Sequence, residues 1–135
     1  MAGALGIGGD LSRWTPQELE EARGFIVMYK RARSVIQNGL LYRLLSPRTG
    51  SVAATQYVAR DGSEIVLFAW GQSQQFEHTQ VTLSLPGLEE EAGYTDAVSG
   101  TTYHGAYLAH HGLPVSLVGD FDSHMIHLVR EVPAQ

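Results

Sequence analysis

The chain has 135 residues, 44% of them hydrophobic and 17% charged, the balance of one globular domain with room for a short appendage. A formal net charge of −5, with nine scattered Lys and Arg, speaks against a nucleic-acid partner, which needs a clustered basic surface. The absence of cysteine excludes disulfides and thiolate metal sites. No signal-peptide pattern follows Met1, and the longest apolar runs (65–70 is one) are too short to span a bilayer, so the expectation is a soluble, cytoplasmic protein with no membrane partner.

Residues 4–11 are short and glycine-rich, with the look of a strand end and its loop. Thr15-Pro-Gln-Glu18 then carries the signals of a helix start: Thr15 as cap, Pro16 at the first helical position, Glu18 closing a capping box. Trp14 and Leu19 stand where a hydrophobic staple has its partners, and Glu20 and Glu21 place negative charge near the positive end of the helix dipole. Leu19, Ala22, Ile26, Tyr29, Arg33 and Ile36 recur at spacings of three and four, widened by Phe25 and Val35. An amphipathic helix is therefore expected over residues 16–37, about 33 Å long. Lys30, Arg31 and Arg33 read as a solvated basic face. Asn38-Gly39 supplies the stop, with Gly39 expected in the left-handed conformation. A strand end, a loop and an outward helix form the last unit of a β/α repeat; a helix packed on its own β domain satisfies the same pattern. The pattern leaves both open.

From Leu40 onward short strands are punctuated by turns. Candidate strands are residues 41–45, 53–60, 64–70, 80–85, 93–96, 102–103, 106–110, 114–118 and 124–131. Asp61-Gly62 between two β-rich runs is the strongest hairpin signal, and Ser46-Pro47, Pro86-Gly87, Ser99-Gly100, His111-Gly112 and Gly119-Asp120 mark further turns. Many short strands at regular spacing indicate a mainly β fold, an antiparallel sandwich or barrel behind one long N-terminal helix. In the last strand Met125, His127 and Val129 share one face and Ile126, Leu128 and Arg130 the other. Residues 65–70 are apolar throughout, which predicts a central strand covered on both faces. Glu89, Glu90 and Glu91 read as a solvated turn.

Six histidines, His78, His104, His110, His111, His124 and His127, raise a metal site, but no ligand spacing supports one: His124 and His127 diverge on a strand, as do His110 and His111. Asp120 and Asp122 lie two apart at a turn, where Asp serves to bond the local backbone. Asp10 reads either as a loop anchor or as a pocket residue. There is no Gly-x-Ser-x-Gly elbow and no phosphate loop, and the spacing of Gly6-Ile-Gly-Gly does not fit a dinucleotide turn. Trp14, Trp70, Tyr57, Tyr94, Tyr103 and Tyr107 are candidates for a sugar-stacking platform, although aromatics spread over several strands more commonly form core.

The chain resembles the family-36 α-galactosidases of the glycoside hydrolases. The resemblance rests on Gly6-Ile-Gly-Gly-Asp-Leu-Ser-Arg-Trp14, Tyr29-Lys-Arg-Ala-Arg33 and Gly39-Leu-Leu-Tyr-Arg-Leu-Leu-Ser-Pro47. It continues through Gln56-Tyr-Val-Ala-Arg-Asp-Gly-Ser-Glu64, Leu85-Pro-Gly-Leu88 with Tyr94, and Gly119-Asp120 with Ser123. It implies that residues 1–39 are the end of a catalytic (β/α)8 barrel with its last helix, and that residues 40–135 are a C-terminal antiparallel β-sandwich domain. It further implies a parent enzyme that removes terminal α-linked galactose from sugars such as melibiose and raffinose with retention. The family's two catalytic aspartates belong to barrel motifs upstream of the matched region and have no counterpart here. Residues 1–39 are also far short of the roughly 250 residues a whole barrel takes. The expectation is a non-catalytic domain that supports the barrel, with no catalytic, cofactor-binding or metal-binding residue and no activity alone. Its expected partners are the upstream barrel of the same protein, the α-galactoside through the parent enzyme, and a second copy through the apolar helix face. A stand-alone carbohydrate-binding β-sandwich module is the alternative, and a metal-binding β-barrel enzyme built on the histidines is a third.

Overall fold

The computed structural model describes residues 1–72 and 78–132. A short 3-10 turn, Leu11–Arg13, leads into α1, Pro16–Asn38. The strands β1 (Leu40–Leu45), β2 (Val52–Val58), β3 (Glu64–Gly71), β4 (His78–Leu83), β5 (Gly93–Asp96) and β6 (Thr102–His104) follow. A second helix, α2 (Gly105–His110), then precedes β7 (Leu113–Val118) and β8 (Ser123–Arg130).

α1 starts where the capping box places it. The Glu18 amide donates to Thr15 Oγ1 at 3.2 Å and the Thr15 amide donates to Glu18 Oε2 at 2.7 Å, so two free amides of the first turn are satisfied reciprocally. The helix ends at Gly39 for a different reason from the one expected. Gly39 has φ −75° and is extended, not left-handed. A Cβ there would lie 2.5 Å from the Val35 carbonyl oxygen and 2.6 Å from that of Val58, so glycine serves the close approach of β2 to the helix end. Arg60 Nε, just past β2, donates to the Asn38 carbonyl at 2.9 Å and satisfies one of the last helix acceptors.

Tyr29, Ala32, Val35 and Ile36 are buried on α1, while Arg33 is exposed. Spacings of three and four allow either residue 32 or residue 33 inside. The sheet takes the small one, because alanine lets the helix axis come close.

All strand pairs are antiparallel. Six strands form one sheet in the order β1-β2-β3-β8-β5-β6, and β4 pairs with β7 as a separate ribbon. β3 is central and covered on both faces, as its apolar run predicts. Ile65, Leu67 and Ala69 face Leu83, Leu113 and Val115 of the ribbon, while Val66 and Phe68 face Tyr29, Ala32, Val35 and Ile36 of α1. β8 keeps the expected alternation, with Met125 packed on the helix side and Ile126 and Leu128 on the ribbon side. The domain is thus a sheet with a ribbon and α2 on one face and α1 on the other.

Between β2 and β3 the Asp61-Gly62 hairpin forms as expected: Gly62 takes φ +69°, and Asp61 Oδ1 accepts from the Ser63 amide at 3.0 Å and from Ser63 Oγ at 2.6 Å. Residues 106–110, expected to be a strand, lie in α2 instead. Ala, Tyr, Leu and Ala form an apolar run too short for periodicity to separate strand from helix. The deciding partners are distant. The Ala106 amide bonds the Glu90 carbonyl at 2.9 Å, and the Leu108 carbonyl accepts from Leu85 at 3.0 Å. Gly112, at φ +85°, ends α2 with its amide on the Tyr107 carbonyl at 2.9 Å. Among the described residues, no helix is long and apolar enough to cross a membrane.

Candidate functional site: the uncovered half of the long helix

α1 is covered along only half its length. Its second half seals the sheet, but Leu19, Phe25 and Val27 of the first half are exposed, as are Ile7 and Leu11 ahead of it. Phe25, at 52% exposure, is a large aromatic open to solvent in the middle of the helix. The N-terminal segment is tied down beside it. Tyr57 Oη donates to the Ala2 carbonyl at 2.7 Å and Tyr29 Oη to the Gly3 carbonyl at 2.9 Å, so two core tyrosines hold residues 1–5 against the helix. Asp10 settles as a loop anchor: its Oδ1 accepts from the Ser12 amide at 3.1 Å and from Ser12 Oγ at 2.6 Å, starting the 3-10 turn.

Two clefts result. One, of about 430 Å³, is lined by Met1, Leu5, Ile7, Trp14, Ala22 and Phe25. The other, of about 250 Å³, runs between the helix and the sheet end and is lined by Met1, Phe25, Met28, Trp70, Ser123 and His124 among others. The first is mainly apolar and the second is mixed, with Ser123 and His124 in its lining, and Phe25 belongs to both. An exposed apolar surface of this kind is favourably removed from water when another surface covers it.

The other sequence candidates are placed elsewhere. Among the described residues, no group of three or more His, Asp or Glu is gathered as a metal site needs. His127 is buried with Nε2 2.7 Å from Glu64 Oε2, while His110 pairs with Glu90 at 3.1 Å and His124 lies 3.5 Å from Asp122. His111 stacks on Tyr107 with centroids 5.5 Å apart, and His104 precedes α2 without capping it. The His78 side chain lies outside the described residues. Asp122 is a turn residue: its Oδ2 accepts from the Val118 amide at 2.9 Å and its Oδ1 from the Ser123 amide at 2.8 Å. The Val118 bond above all holds its carboxyl below the ordinary aspartate value. Asp120 sits beside it, exposed in the same turn.

The aromatics do not share a face. Tyr94 is fully buried, with its hydroxyl accepting from the Glu89 amide at 3.0 Å. Tyr103 packs against the ribbon-side core. Tyr57, Phe68 and Trp70 form a ladder under α1, with Phe68 and Trp70 stacked at 5.5 Å. Trp14 lines the first cleft, and Tyr107 is exposed on α2. Sequence reasoning missed the Glu64–His127 pair, whose members are 63 residues apart and meet only through β3–β8 pairing. It also missed Phe121, the one non-glycine residue with positive φ (61°) among the described residues, at 77% exposure. The cue was a large aromatic among turn residues, Gly119-Asp-Phe-Asp122.

A β domain with an unfinished helix face has clear relatives. Alpha-galactosidase C of Emericella nidulans is 34% identical over 132 residues, covering 97% of this chain and 17% of that protein. The family-36 α-galactosidase AgaB of Geobacillus stearothermophilus superposes with a TM-score of 0.81 at 31% identity, covering 90% of this chain and 17% of that one. A variant of AgaA from the same organism, solved in complex with raffinose, gives 0.82 at 29% identity with the same 90% and 17% coverage. The chain spans about 17% of the length of these relatives. Nine-tenths coverage is more than residues 40–135 alone provide, so the shared fold takes in at least part of α1. The family described as the glycosyl hydrolase family 36 C-terminal domain matches residues 52–128, the stretch from the first residue of β2 into β8. The superposition and the residues matched agree: the chain belongs to the family-36 C-terminal domain.

Proposed function

We propose that this chain is the non-catalytic C-terminal domain of an α-galactosidase, and that it supports the catalytic barrel through the uncovered half of α1. The observation that carries this reading is the helix buried along one half and apolar but exposed along the other. It belongs to a family whose relatives are several times longer and are named α-galactosidases. Residues 1–39 are then the last β/α unit of the barrel, and residues 40–135 the β domain that closes over it. Covering Phe25, Leu19 and Leu11 removes apolar surface from water and stabilises both partners, at about 25 cal/mol per Å² buried.

The substrate of the whole enzyme is a terminal α-galactoside of the raffinose type, as the raffinose complex of AgaA suggests. Retaining hydrolysis takes a nucleophile and an acid/base carboxylate about 5 Å apart, and the barrel supplies both. Freed from the barrel, the same helix face pairs with a second copy of the chain.

The test compares the full polypeptide encoded by the source reading frame with the 135-residue chain alone. Release of galactose from raffinose and from p-nitrophenyl α-galactoside by the full polypeptide, and by it alone, is the expected result. Hydrolysis by the isolated chain, or a full polypeptide inert on both, overturns the reading.

A further inference from the structure

We propose that the β7–β8 turn carrying Phe121 is a second anchor for the upstream catalytic domain, continuous with the uncovered half of α1; this rests on the function proposed above. Phe121 is a bulky side chain held at φ 61°, in the left-handed region that L-residues adopt at a cost and that glycine fills freely. At 77% exposure, its ring gains almost nothing from its own domain in return. Val118, across the turn, is also exposed, at 64%. The turn is nevertheless built rigidly. Asp122 accepts the Val118 and Ser123 amides, and its carbonyl accepts the Gly71 amide at 2.8 Å, fixing the turn to the end of β3. A strained, firmly held and outward-facing aromatic is what an interface anchor requires.

The occupant follows from position and from the length of the relatives. The turn runs into Ser123 and His124, which form one wall of the cleft whose other wall is Phe25 and Met28 of α1. Phe68, Trp70 and Met125 line the same cleft, so a mixed polar and apolar surface joins α1 to the start of β8, two residues beyond Phe121. The family is a C-terminal domain, and the chain spans 17% of its relatives, so the body preceding it in those proteins is large enough to cover both ends of this surface.

The test applies hydroxyl-radical footprinting to Phe121 and Phe25 in the dilute 135-residue chain and in the full polypeptide, with Phe121→Gly made in both. Several-fold less oxidation of both phenylalanines in the full polypeptide is expected. Phe121→Gly is expected to raise the Tm of the isolated chain by relieving the left-handed backbone, and to lower that of the full polypeptide by removing the anchor. Equal oxidation of Phe121 in the two, with Phe25 protected, overturns this inference and leaves the proposed function standing. Equal oxidation of both residues overturns the two together. Protection of Phe121 that arises only on concentrating the isolated chain assigns the turn to a second copy, and also overturns the inference.

Discussion

Gly39 and Asp122 show how single residues set the junctions of this domain. At Gly39 the helix end and β2 leave no room for a Cβ, and both obstructing atoms are backbone oxygens that cannot swing away. Gly39→Ala is therefore expected to cost about 1–3 kcal/mol, read as a lower Tm of the chain. At Asp122, and likewise at Asp61, where the Ser63 hydroxyl is the main cause, hydrogen bonds hold the carboxyl below its ordinary value. Glu18 is lowered in the same way, chiefly by the Thr15 amide. In each case the unfolded chain takes up protons at a higher pH than the folded one. This part of the stability is complete above about pH 5 and falls away as the pH drops through about 4 and below. Asp122→Asn should flatten the decline of Tm between pH 5 and pH 3, and an unchanged slope would refute the assignment. The turn role of Asp122 was legible in the sequence because a carboxylate bonding its neighbours is a local event. The partner of His127 was not, because Glu64 reaches it only once β3 and β8 are in register.

At the scale of elements, α1 divides into a half that seals the core and a half whose apolar residues Leu19, Phe25 and Val27 are exposed. Ile36, buried against the sheet, and Leu19, exposed near the start, carry side chains of the same volume on the same helix. Ile36→Ala is expected to destabilise the isolated chain by about 2–5 kcal/mol, since it leaves a cavity. Leu19→Ala should stay within about 0.5 kcal/mol. Chemical denaturation of both variants checks the division, and equal losses would contradict it. The helix start was legible because the capping box and Pro16 lie within four residues, and the Asp61-Gly62 hairpin for the same reason. α2 was not legible: its conformation is set by carbonyls and amides from residues 85–92, which no local pattern encodes. Ala32 in place of Arg33 is the same lesson on a smaller scale, because helical spacing admits both and only the sheet chooses.

At the scale of the whole molecule, exposed apolar residues gather at the N-terminal side, from Ile7 and Leu11 to Phe25, while others, such as Leu40, Leu41 and Leu45 of β1, lie elsewhere. The fold was legible because alternation in β8 and the unbroken apolar run of β3 each report how many faces a strand buries. The functional surface was legible only in part. An apolar stripe on a helix says that something covers it, but the pattern is the same whether the cover is the chain's own sheet or another domain. With that side open, the isolated chain should self-associate at high micromolar concentration, and Phe25→Asp should return it to a monomer by light scattering. The most direct test of the account is amide hydrogen exchange along residues 16–28 of α1, in the isolated chain at low concentration and in the full polypeptide. Covered by the catalytic domain, these amides should exchange at least about tenfold more slowly in the full polypeptide, a difference of about 1.4 kcal/mol in opening free energy. Equal exchange in the two would mean that this half of the helix faces solvent in the full polypeptide as well, and would contradict the account.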